Sequence, residues 1–139
     1  MDKILSVSVA AYNVEKFIKQ NLDSFTNSEV KEKIEVLVTD DGSKDNTPQI
    51  VKEYEQKYPG VVRLIQQPNA GPGSTINSGL KNATGKYFRM VDGDDWVKTE
   101  NLKLYIDYLE NSEADMVVTN YYTYNDSNGD IEKWKNKNN

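Results

Sequence analysis

Apolar and small polar residues alternate along Ile4-Leu5-Ser6-Val7-Ser8-Val9-Ala10-Ala11, a period of two, rich in β-branched side chains, that predicts a mostly buried strand. The period then lengthens. Val14, Phe17, Ile18, Leu22 and Phe25 recur at helical spacing, with Asn13 placed to cap that helix. Ile34 to Thr39 predicts a second strand, stopped by the turn signal Asp40-Asp41-Gly42-Ser43. Asn46 or Thr47 can cap the next helix, Pro48 suits its first position, and Ile50, Val51, Tyr54 and Tyr58 supply its buried face. Pro59-Gly60 ends it, and Val61 to Ile65 predicts a third strand. After a glycine-rich loop from Gln67 to Gly73, a helix from about Ser74 to Asn82 leads to a fourth strand, Tyr87 to Val91, closed by Asp92-Gly93-Asp94-Asp95. Thr99 and Glu100 open a further helix with Leu102, Tyr105, Ile106 and Leu109 on one face, and Met116 to Thr119 predicts a fifth strand.

Strands and helices alternating at this spacing predict an α/β fold, a mostly parallel sheet with helices on both faces and right-handed crossovers. A chain of 139 residues suffices for one core. One ordered domain is expected over 1–124. Residues 125–139, rich in Asn, Lys, Asp and Gly, are expected to fray.

Composition narrows the chemistry. With 17 basic and 22 acidic side chains the net charge is −5, which argues against nucleic acid or an anionic membrane surface as partner. Histidine and cysteine are absent, which excludes Ser-His-Asp triads, thiolate nucleophiles, disulfides and His or Cys metal sites. Apolar runs last only a few residues and the start lacks the apolar core of a signal peptide. A cytoplasmic location, free or at the inner face of the membrane, is expected.

The candidate chemistry is positional. Tyr12-Asn13, Asp40-Asp41-Gly42-Ser43 and Asp92-Gly93-Asp94-Asp95 all fall at carboxyl ends of predicted strands, the edge where open parallel sheets bind ligands. Five carboxylates converging there, at 40, 41, 92, 94 and 95, would raise one another's pKa values unless donors or a cation compensate. An all-oxygen donor set suits Mg²⁺, Mn²⁺ or Ca²⁺, and Mg²⁺ commonly completes its octahedron with waters and substrate phosphates. Asp92-Gly93-Asp94 therefore reads as half a site awaiting a diphosphate. Asp-Asp-Gly-Ser alone is also a common turn, and Trp96 serves either as core or as a wall for a sugar ring.

Competing motifs fail on their residues. Gly71-Pro72-Gly73-Ser74-Thr75-Ile76 lacks the third glycine of a dinucleotide fingerprint and follows the third strand, not the first. Asp126-Ser127-Asn128-Gly129-Asp130 opens like a calcium loop, but Ile131 stands where glycine is required. No Walker sequence is present. A phosphate-accepting receiver domain would need acidic residues where Asn13 and Gln66-Gln67 stand.

Val7-Ser8-Val9-Ala10-Ala11-Tyr12-Asn13, Val38-Thr39-Asp40-Asp41-Gly42-Ser43 and Val91-Asp92-Gly93-Asp94-Asp95-Trp96, in this order and spacing, resemble family 2 glycosyltransferases over about residues 3–124. The resemblance implies the GT-A fold, whose Rossmann-like half binds a nucleotide diphosphate sugar, and transfer with inversion. It implies that Ala10 and Tyr12 frame the nucleobase and that Asp41 accepts a hydrogen bond from it. Asp92 would face the ribose or the metal, followed by Gly93, and Asp94 would ligate Mn²⁺ or Mg²⁺ against the diphosphate. Asn69-Ala70-Gly71 resembles the loop that closes over the donor.

Two departures from the family pattern matter. An Arg that often lies near the nucleotide is Ile76 here, and the later Glu-Asp motif that supplies the general base does not occur before Asn139. The resemblance thus implies the donor-binding region of an inverting, metal-dependent glycosyltransferase that does not complete transfer alone. A UDP-sugar is the expected donor, and a glycan, lipid-linked or polymer substrate the expected acceptor. Lys heavily outnumbers Arg and Asn is frequent, a composition that associates the resemblance with bacterial cell-surface polysaccharide or teichoic-type assembly. The reading from a different class is a non-catalytic nucleotide-binding module. An open sheet edge beyond strands four and five is expected to invite a homodimer.

Overall fold

The amino-terminal alternation becomes strand β1, Leu5–Ala11, in a computed structural model that describes residues 2–115, 121–124 and 131–134. The chain continues through α1 (Ile18–Thr26), a 3-10 turn (Lys31–Lys33), β2 (Ile34–Asp41), α2 (Thr47–Lys57), β3 (Val62–Gln67), α3 (Pro72–Asn82), β4 (Tyr87–Asp92) and α4 (Thr99–Asn111). These four strands form one all-parallel sheet in the order β3-β2-β1-β4. The α/β class expected from the alternation is observed, in the Rossmann-like arrangement that the family resemblance implies.

The sheet has two different faces because β1 has two different sets of side chains. Val7, Val9 and Ala11 face a core shared with Ile18, Leu22 and Phe25 of α1, Val51 of α2, and Leu102, Ile106 and Leu109 of α4. Ser6 and Ser8 face the opposite way, towards α3, where a Cβ on Gly79 would lie 2.0 Å from Ser8 Oγ. Small residues on this face let the helix backbone sit close to the strand. The core therefore lies on the α1, α2, α4 side, and α3 alone among the described helices covers the other.

Several local expectations change. Asn13 does not cap α1; it has φ 52°, its Oδ1 accepts the Lys44 N–H at 2.9 Å, and α1 starts five residues later. Neither Asn46 nor Thr47 caps α2 with its own side chain. Asp45 does so, accepting the Thr47 N–H at 2.9 Å and the Thr47 hydroxyl at 2.6 Å. Within the tail expected to fray, Ile131–Trp134 forms strand β6, paired antiparallel with β5 (Tyr121–Tyr124) in a two-stranded sheet. The predicted strand Met116 to Thr119 lies outside the described residues. Among the described residues no strand pairs with the outer side of β4, and no helix is long and apolar enough to cross a membrane.

Candidate functional site at the carboxyl edge of the sheet

The strand order creates a switch point. From β1 the chain winds outward through β2 to β3, then returns to place β4 on the other flank of β1. The crevice outside the carboxyl ends of β1 and β4 is where such sheets take ligands. Register places Ala10 of β1 between Thr39 of β2 and Asp92 of β4. Partners in register share a face, so Ala10, Thr39 and Asp92 lie on the α3 side, as does Asp41 two residues beyond Thr39.

Asp41 is the best-supported side chain of the edge. Its Oδ1 accepts Gln67 Nε2 at 3.0 Å and the Ala70 N–H at 2.8 Å, and its Oδ2 accepts the Gly71 N–H at 3.1 Å. Asn69 Nδ2 donates to the Asp41 backbone carbonyl at 3.1 Å. The hydrogen bond from Gln67, then those from the Ala70 and Gly71 amides, hold the Asp41 carboxyl below the usual carboxylate range against the opposing effect of burial. Mutual repulsion among the acids does not govern it: donors compensate. Gln67 also donates to Ser74 Oγ at 2.9 Å and accepts from Ser78 Oγ at 2.7 Å, tying β3 to α3. A carboxylate offers about four acceptor positions, so three bonds leave Asp41 able to receive one more. Gly42 permits this packing, since at φ 76° a Cβ there would sit 2.8 Å from the Asn69 nitrogen.

The second half of the site follows β4. The Gly93 N–H donates to the Ala10 carbonyl at 2.9 Å, extending the pairing of β1 and β4, and the Asp95 N–H closes a turn on the Asp92 carbonyl at 3.0 Å. The carboxylates of Asp92, Asp94 and Asp95 are exposed, each with an oxygen within 4.8 Å of the others. Burial, and then the charges of Asp94 and Asp92, push the Asp95 carboxyl above its ordinary value. The expected convergence of five acids reduces to this group of three. Asp40 alternates to the face opposite Asp41, and its Oδ1 receives the Ser43 N–H at 3.4 Å as an ordinary turn acceptor.

Between the halves, the loops after β1 and β2 are bound to each other. The Asn13 N–H donates to Ser43 Oγ at 2.9 Å, the Val14 N–H to Thr47 Oγ1 at 3.0 Å, and the Glu15 N–H to Asp45 Oδ2 at 3.2 Å. Tyr12, at the head of this network, is 47% exposed at the mouth of the crevice. Trp96 is 36% exposed beyond the acidic turn and lines, with α1, a depression of about 300 Å³ that neither Asp41 nor Asp92 borders.

Sequence reasoning missed two contributors. Gln67 stands in register with Asp41 at the carboxyl end of β3. Asn21 sits in the apolar stripe of α1, three residues after Ile18 and one before Leu22, fully buried, with its Nδ2 directed at the backbone of the acidic turn. A polar residue inside a core stripe was the available signal.

Comparison with known proteins agrees with this geometry. The family model described as glycosyl transferase family 2 matches residues 6–138. Glycosyltransferase GlyA of Streptococcus pneumoniae serotype 4 is 36% identical over 129 residues, which cover 93% of this chain and 18% of GlyA. The crystal structure of S. aureus TarS 1-349 in complex with UDP aligns with a TM-score of 0.70 at 36% identity, over 77% of this chain and 32% of that one. Mannosyltransferase PcManGT from Pyrobaculum calidifontis, solved with GDP-Man and Mn²⁺, aligns with a TM-score of 0.65 at 26% identity, over 73% of this chain and 30% of that one. The chain thus spans less than a third of the length of each of these proteins. With its three motifs gathered on one sheet edge and the family model matched almost throughout, this chain belongs to glycosyl transferase family 2.

Proposed function

We propose that this chain binds the nucleotide half of a nucleotide-sugar donor, with a UDP-sugar as donor, for transfer with inversion to a glycan, lipid-linked or polymer acceptor. The observation that carries the reading is the pairing, on one face of the sheet, of a donor-supported Asp41 with an acidic turn on the opposite flank of β1. A uracil ring offers one imide N–H, which the remaining acceptor position of Asp41 matches, and Tyr12 and Ala10 border the same crevice. TarS, which the chain resembles, has been solved with both UDP and UDP-GlcNAc. The teichoic-type relatives, such as the poly(ribitol-phosphate) glycosyltransferases, support a role in cell-surface polymer assembly.

Three carboxylates with oxygens within 4.8 Å form an all-oxygen set that fits Mn²⁺ or Mg²⁺, with Asp94 and Asp92 as the ligands and the diphosphate completing the shell. When bound, such a cation neutralises charge that grows on the departing nucleoside diphosphate. The protein's own part is to hold the base through Asp41 and to keep the acidic turn fixed against β1 through the Gly93 to Ala10 hydrogen bond. The outer side of β4, with which no strand pairs among the described residues, is read as a self-association edge, which light scattering tests.

A thermal-shift comparison of UDP and CDP in Mn²⁺ tests the donor reading. UDP, whose N3–H can donate to Asp41, is expected to raise the melting temperature more than CDP, whose N3 is an acceptor, and an equal response to the two would remove Asp41 as a base-reading group.

A further inference from the structure

Asn21 lies on the core face of α1 beside Ile18, Leu22 and Phe25, with no exposed surface. An amide is buried among such neighbours at a cost unless its polar atoms are used. Its Nδ2 is 2.8 Å from the Asp95 carbonyl and 3.3 Å from the Asp92 carbonyl. Both are acceptors, so the nitrogen must face them, which leaves Oδ1 buried and without a hydrogen-bond partner among the described residues. The helix accepts an orphaned oxygen to keep these two bonds.

Their placement has a consequence for the carboxylates. One amide grips the first and last residues of Asp92-Gly93-Asp94-Asp95 from the core side, while the three carboxylates project to solvent. Three like charges with oxygens within 4.8 Å push the turn open, and the clamp opposes that without adding a charge of its own. A lysine or arginine in this place would neutralise the acids and compete with a cation. Ser24, one turn along α1, continues the attachment: its Oγ accepts the Val97 N–H at 3.3 Å and its carbonyl accepts the Thr99 hydroxyl at 2.7 Å.

We propose that Asn21 is a positioning residue that holds the carboxylates of the acidic turn at cation-binding separation. The proposal rests on the reading of that turn as the diphosphate metal site. It goes further in assigning a buried helix residue, which touches neither nucleotide nor metal, to the metal-dependent part of donor binding.

The test is UDP titration of the 139-residue chain in Mn²⁺ and in excess chelator, with Asn21→Leu and Asn21→Ser beside the wild type, together with amide hydrogen exchange at Gly93 and Asp95. Leucine fills the space without the N–H donors; serine is the second variant should leucine prevent folding. Both are expected to keep the chelator affinity, which depends on Asp41, and to lose roughly tenfold of the Mn²⁺ enhancement, with faster exchange at the turn. Retained enhancement in the variants overturns the inference, and so does an equal loss in Mn²⁺ and chelator, the mark of a merely structural role. A wild type with no Mn²⁺ enhancement overturns the metal reading itself, and the inference with it.

Discussion

The Asp41 carboxylate and the Ala70 amide meet at 2.8 Å, joining the end of β2 to the loop that follows β3. The loop expected to close over a donor is thus held by the same side chain that is proposed to read the base. Asp41→Asn keeps the shape but turns one acceptor oxygen into a donor that faces other donors. UDP affinity is expected to fall roughly tenfold or more, and exchange at Ala70 and Gly71 to quicken. Calorimetry and exchange mass spectrometry measure the two effects. Unchanged affinity would place the base elsewhere.

Acid stability follows from the same bonds. The Asp41 pKa is lowered in the folded chain, chiefly by Gln67, so its contribution is fully present above the unfolded value of about 4 and is lost as pH falls through the folded value. Tyr54 has the opposite sense. Burial, and then its hydrogen bond to Asp23 at 2.5 Å, raises its pKa, so that contribution is present below about 10 and is lost as pH rises further. Melting temperature is expected to be level across neutral pH and to drop below about pH 4, less steeply in Asp41→Asn. A wild type and variant with the same acid slope would contradict the assignment.

Close packing of α3 on β1 depends on Gly79. Alanine there places its Cβ 2.0 Å from Ser8 Oγ and 2.7 Å from Ser8 Cβ, a clash that rotation of the hydroxyl relieves only in part. Gly79→Ala is expected to destabilise the fold by about 1–3 kcal/mol despite the better helix propensity of alanine. Ser8→Ala in the same chain should recover part of the loss, because the two sites share one contact. Denaturant unfolding of the three variants gives the coupling.

Asn13 occupies left-handed backbone and bonds to both Ser43 and Lys44 across the crevice mouth. Asn13→Ala gives up the bond from the Lys44 N–H and adds strain at φ 52°, an expected loss of about 1–2 kcal/mol. Asn13→Gly relieves the strain alone, so it should fall between alanine and wild type in thermal melts. Equal stability of all three would mean that the two loops do not depend on this residue.

Much of this arrangement was legible in the sequence because it is local. Alternation in Ile4 to Ala11 and the apolar stripe through Ile18, Leu22 and Phe25 report the faces they bury, and the acidic turn falls at the end of β4 as its motif required. What escaped was set by sheet order. Gln67 and the Ala70 amide reach Asp41 because β3 lies beside β2, and no periodicity records which loop closes on which strand. Asn21 reaches the acidic turn across 74 positions of sequence. Asn13 was misread for a different reason: one residue type serves both as a helix cap and in left-handed turns, and the loop after β2 decided between them.

Asp41 and the acidic turn are proposed together to form a site for a nucleoside diphosphate and a divalent cation. Calorimetric titration of UDP into the chain, in Mn²⁺ and then in excess chelator, with Asp94→Ala alongside, tests it most directly. The expected result is binding that weakens when Mn²⁺ is removed, and an Asp94→Ala variant that responds to neither addition nor removal of the metal. UDP affinity identical in Mn²⁺ and chelator, or an Asp94→Ala chain indistinguishable from wild type, would mean that the acidic turn holds no cation for the nucleotide.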